Sequence, residues 1–107
     1  MRAEAQTDYR RGYPPLVNHA SGVETVRAGV HDVLGPSAIV LKEMTMGAED
    51  FAYVLEKVPG AMFYLGVRDK SWPAPRLTHS AIFDLDEEAL PIGTAVMAAT
   101  AVRFLAE

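Results

Sequence analysis

Cysteine is missing from this 107-residue chain, which excludes disulfides and thiolate metal sites within it. Basic charge is also scarce. Ten Lys and Arg face fourteen Asp and Glu, for a net charge of −4, and no basic stripe offers itself to nucleic acid or to an anionic membrane. The opening stretch MRAEAQTDYRRGY has no apolar run and so no secretory signal; a cytoplasmic location is expected. Aromatic residues make up 8% of the chain and are too scattered for a base-stacking platform. P-loop, dinucleotide-binding and paired-histidine motifs are absent, as is any Ser/His/Asp spacing.

What is present is a soluble, globular composition, half apolar and 22% charged, in a length that suits one domain at most. The most apolar stretch, Leu90 to Leu105, falls short of the ~20 residues of a membrane span and contains Arg103. It reads as a buried helix, with no membrane partner.

Along the chain, residues 3–10 suggest a short strand. The prolines of YPPLVNHASG, Tyr13 to Gly22, bar a helix interior and mark a linker. Val23, Val26, Val30, Val33 and Leu34 recur at helical spacing. Ser21 and Glu24 have capping-box spacing, and Gly35-Pro36 is a stop signal. Residues 38–44 predict a strand. A second helix is expected from Gly47 or Ala48, with Phe51, Val54, Leu55 and Val58 inward, up to Pro59-Gly60. The continuous apolar run 61–67 has the look of a buried strand. A proline-containing loop leads to a last helix from Asp86 or Glu87. The order β-α-β-α-β-loop-α predicts an α/β fold with helices layered on a sheet.

Three places carry chemistry. His79 lies in the loop after the prolines, and imidazole is the commonest protein metal ligand, yet no second ligand stands at metal spacing. Glu49 and Asp50 suit a first helical turn through the dipole, as do Asp84, Asp86, Glu87 and Glu88. Thr45-Met46-Gly47-Ala48 is harder to explain as a cap. A glycine there permits positive φ and close backbone approach to a ligand, and a tight turn would look identical. His19 and His31 read as surface or packing residues.

Three collinear stretches go further: YRRGYPPLVNH, MTMGAEDFAYVLEKVPGAMFYLGV and LTHSAIFDLDEEALPIGTAVMAATAVRFL. Together they resemble the C-terminal part of the metallo-amidohydrolases, the family of aminoacylases, hippurate hydrolases, indole-acetyl-amino-acid hydrolases and N-acetyl-diaminopimelate deacetylases. The resemblance implies a partial zinc-peptidase-like layered fold, incomplete without the N-terminal half of a parent enzyme. Residues 1–10 would close an inserted lid, 11–18 would cross back, and 19–107 would complete the catalytic domain.

It also implies amide hydrolysis of N-acyl amino acids or small peptides, using divalent ions: zinc first, with manganese, cobalt or nickel as alternatives. In such a parent, two ions would polarise the amide carbonyl and activate a water. His79 would be the one metal ligand in this segment. Thr45, Met46, Gly47 and Ala48 would face the substrate, and Glu49 and Asp50 would support the pocket. The glutamate base and the other ligands would lie outside the chain, which alone should be inactive. The parent's N-terminal half and a second copy are the expected partners. A non-enzymatic α/β association module is the alternative.

Overall fold

A computed structural model describes residues 2–106. Helix α1 is Ala20–Leu34. His19 takes the extended N-cap conformation and its carbonyl accepts the Val23 N–H at 3.0 Å. The helix therefore starts ahead of the Ser21/Glu24 pair, and the expected capping box does not form. Ser21 instead accepts the Thr25 hydroxyl through its carbonyl, and Glu24 pairs with Arg27. The stop at Gly35 is as read. Gly35 has φ 81° and donates its N–H to the His31 carbonyl, a conformation open to glycine without strain. A single 3₁₀ turn, Pro36–Ala38, follows.

Helix α2 is short, Phe51–Leu55. Its buried residues are Ala52 and Leu55, while Val54 and Val58, expected to face inward, are 44% and 52% exposed. Helix α3 is Ala89–Ala106, preceded by a turn in which the Asp86 carboxylate accepts the Glu88 N–H and its carbonyl the Ala89 N–H. The helix thus begins two or three residues later than the sequence suggested. At 18 residues, α3 is also long and apolar enough, by length and composition, to cross a membrane.

Helices α1 and α3 pack against each other through small side chains. A Cβ on Gly29 would lie 2.5 Å from Thr100 Oγ1 and 2.9 Å from its backbone nitrogen, so only glycine permits this approach. The face of α1 turned to α3 is therefore Thr25 and Gly29, both buried, and the valine stripe points elsewhere. At the far end, Arg103 grips Asp32 with two hydrogen bonds of 2.6 Å.

The layered α/β expectation is overturned: the described residues contain no strand. Residues 38–44 and 61–67 have the composition of strands, and the alternation of 3–10 suggested one, but none of the three forms a ladder. A strand exists only where a neighbour takes up its backbone groups, and these runs find no neighbour of that kind. The nearest approach to pairing comes from side chains. The Asn18 amide donates to the Met62 carbonyl at 2.9 Å and accepts the Met62 N–H at 2.8 Å, standing in for one residue of a strand. His19 adds a backbone N–H to the Gly60 carbonyl at 3.0 Å.

The consequence is an open molecule. Its radius of gyration is 18.5 Å, against roughly 13 Å for a closed domain of this length. Its accessible surface is 9462 Å², against about 5,800 Å² for a folded monomer of this mass. Among the described residues only Ala52, Leu55, Ala89 and Val96 are buried apolar residues.

Candidate functional site

One broad cleft of about 990 Å³ lies between the linker, the valine face of α1 and the two unpaired apolar runs. Tyr13 to Leu16 and Asn18 form one edge, and Val23, Val26 and Val30 form the floor. Residues 38–49 and Ala61 to Tyr64 form the remaining walls. The valines reach this surface because α1 turns its glycine face to α3. Tyr13 packs edge-on against Tyr53 of α2 with ring centroids 5.6 Å apart, which docks the linker. Lys42 Nζ sits 4.4 Å from the centre of the Tyr64 ring, joining two walls by a cation–π contact.

Thr45, Met46, Gly47, Ala48 and Glu49 all line this cleft; Asp50 does not. Met44 and Met46 are fully exposed. Gly47 has no left-handed backbone, and the nearest atom to a Cβ built there is 4.0 Å away. The positive φ that a glycine would permit at this turn is therefore not used. Glu49 accepts the Phe51 N–H at 3.1 Å, and the Asp50 carbonyl accepts the Tyr53 N–H. Both precede α2, with Asp50 at its N-cap, and neither lies in the first turn where the sequence suggested them.

His79 is elsewhere, exposed at the tip of the loop between residue 67 and α3 and not on the cleft wall. Its φ is 64°, the left-handed region. Histidine enters that region more readily than most residues, but such a conformation still costs on the order of 1–3 kcal/mol and persists only when its surroundings impose it. Among the described residues no group of three His, Asp or Glu side chains is placed to hold a metal ion. His79 alone does not amount to a metal centre.

Charge is perturbed away from both places. The Arg103 guanidinium holds the Asp32 carboxyl below the usual carboxylate range, and Asp32 in turn raises Arg103. Asp69 is lowered by the backbone N–H of Ser71, a hydrogen bond of 2.7 Å.

Two residues with structural roles escaped the sequence reading. Asn18 reads as part of a linker, and His19 as a surface or packing residue. The signal was their position between a proline pair and a helix, where a side chain can reach a neighbouring backbone. His19 Nδ1 accepts the Gly60 N–H at 3.3 Å.

Comparison with known proteins places the chain. Residues 4–103 match Peptidase family M20/M25/M40. An Arabidopsis thaliana protein, IAA-amino acid hydrolase ILR1-like 6, is 39% identical over 93 residues, covering 87% of this chain and 20% of that protein. Thermostable carboxypeptidase 1 of Saccharolobus solfataricus is 35% identical over 92 residues, 86% of this chain and 23% of that protein. A Rhodococcus jostii relative bearing a glutamate–cysteine ligase name is 38% identical over 94 residues, 88% of this chain and 12% of its own length. The chain thus spans about a fifth of the length of the first two relatives. No solved structure matches it significantly.

Proposed function

The chain belongs to Peptidase family M20/M25/M40, a hydrolase family that is generally metal-dependent, and on that premise we propose that it is the C-terminal part of an amidohydrolase. The enzyme would hydrolyse the C–N bond of N-acyl amino acids or small peptides. The observation that carries this reading is the collinear match over residues 4–103, joined to the short share of the relatives that it covers.

In this reading residues 1–10 close a lid, 11–18 cross back, and 19–107 complete the catalytic domain. His79 supplies one imidazole to a divalent-metal site whose other ligands, and whose base, come from the remainder of the enzyme. Zinc heads the candidate metals, and imidazole also suits manganese, cobalt or nickel. Thr45, Met46, Gly47 and Ala48 form part of the substrate wall, and Glu49 and Asp50 hold that wall to α2. Helix α3 is a core helix, buried by the remainder of the enzyme rather than by lipid. Self-association and a cytoplasmic location complete the proposal.

The test is a chimera. This chain replaces the matching segment of the Arabidopsis relative, and bound metal and hydrolysis of N-acyl amino acids are measured. The chimera is expected to bind metal and turn over substrate. His79→Ala should cost at least the roughly 10–100-fold that is typical of outer-shell partners of a metal ligand, in both metal and rate. Glu49→Gln should cost less. A His79→Ala chimera with undiminished metal and rate would remove His79 from the site.

A further inference from the structure

The loop that carries His79 is closed twice. At its neck, the Asp86 N–H donates to the Val67 carbonyl at 2.8 Å. Nearer the tip, Arg76 Nη1 donates to Asp84 Oδ2 at 2.5 Å, so that residues 77–83 form a small lobe with His79 inside it. Both partners of the inner closure are themselves anchored. The Arg76 guanidinium lies 4.4 Å from the centre of the Trp72 ring, and the Trp72 carbonyl accepts Arg68 Nη2 at 2.8 Å. Asp84 uses its other oxygen to accept the Leu85 N–H at 2.9 Å.

Inside the lobe, Ser80 accepts the Ile82 N–H through its hydroxyl and the Phe83 N–H through its carbonyl. Among the described residues none of these bonds reaches His79, whose backbone is nonetheless left-handed. A strained conformation without a bond of its own is held by the closure around it.

The geometry points to Arg76 and Asp84 as a positioning pair that fixes the His79 backbone, and with it the direction of the imidazole. A side chain held in advance need not be ordered when it is used, which is the general advantage of a preorganised ligand. Trp72 and Arg68 are the outer supports of the same device. The use of the imidazole rests on the proposed role of His79; the closure itself does not.

The experiment is solution NMR on this chain. The intraresidue Hα–HN NOE of His79 and its one-bond Cα–Hα coupling both separate positive from negative φ. The unaltered chain should show a strong NOE and the reduced coupling of a left-handed residue. Arg76→Ala and Asp84→Ala should each lose both signatures, while the Arg76→Asp/Asp84→Arg exchange should regain them. Far-UV circular dichroism should be the same in all four proteins, because the helices lie outside the lobe. If either single variant keeps the left-handed signatures, or the exchange fails to restore them while the helices stay intact, the pair does not position His79. Since no metal enters this measurement, it separates from the chimera test: His79→Ala can fail there with the closure upheld here, and the reverse.

Discussion

Helices α1 and α3 on one side, and residues 35–88 on the other, are both rich in apolar residues, 20 of 33 and 26 of 54, but end in different states. The helices satisfy their backbones internally and need only a face to pack on. They find it where Gly29 meets Thr100. The intervening segment has its apolar residues in runs whose backbone groups must be paired by neighbours. It obtains one imitation pairing from Asn18, contacts at Gly60 from His19 and at Val67 from Asp86, and otherwise stays open, with Val40 and Leu41 more than four-fifths exposed. Burial of side chains and pairing of backbones are separate requirements: the helices meet the second, yet α3 still leaves Leu90, Met97, Val102, Phe104 and Leu105 more than half exposed.

That contrast can be broken most sharply at the helix contact. Gly29→Val forces a branched side chain against the Thr100 backbone, which cannot step aside as a flexible side-chain tip can. The expected loss is about 1–3 kcal/mol or more, read as a fall in the thermal midpoint by circular dichroism at 222 nm. An unchanged midpoint would mean that α1 and α3 do not pack this closely.

A smaller effect is expected where the open segment is tied down. Asn18→Ala removes both hydrogen bonds to Met62 and should cost about 0.5–1.5 kcal/mol. Hydrogen exchange reports it directly: the Met62 amide should lose protection while amides in the middle of α1 keep theirs. Loss of protection in both places would show that the two regions are one cooperative unit.

The least effect belongs to the exposed Asp32–Arg103 pair. The carboxyl is lowered by the guanidinium, so its contribution is present above the ordinary carboxylate value of about 3.9. That contribution is lost as pH falls through the lowered folded value. Arg103 is raised, so its share would fade only at extreme alkaline pH. Asp32→Asn should therefore lower stability slightly at pH 7 and flatten the shallow decline that sets in as pH falls from the ordinary carboxylate value toward the lowered folded one. An equal decline in the variant would detach the pair from acid stability.

The helices were legible because their signals are local. Gly35-Pro36 stops α1 where the sequence says, and the apolar run from Leu90 to Leu105 is helical as read but not buried as read, since Leu90, Met97, Val102, Phe104 and Leu105 are more than half exposed. The strands were not, although 61–67 has the residues for one, because pairing depends on another segment and no composition reports its presence. Starts were misjudged for a related reason. His19, which gains its place from Gly60, displaced the Ser21/Glu24 box. At the candidate site the sequence singled out 45–50, of which 45–49 line one cleft and Asp50 does not, and His79, which does not join them. It could not show that His79 is left-handed, since histidine carries no glycine-like mark, or that Arg76 and Asp84 close around it.

The apolar runs of residues 35–88 lack a cover within this chain. Sedimentation velocity across low micromolar concentrations, with thermal unfolding alongside, tests it most directly. The account predicts a sedimentation coefficient that rises with concentration as exposed apolar patches associate, and a broad, shallow melt. A concentration-independent monomer with a sharp melt would show that the chain closes its own core, and would contradict it.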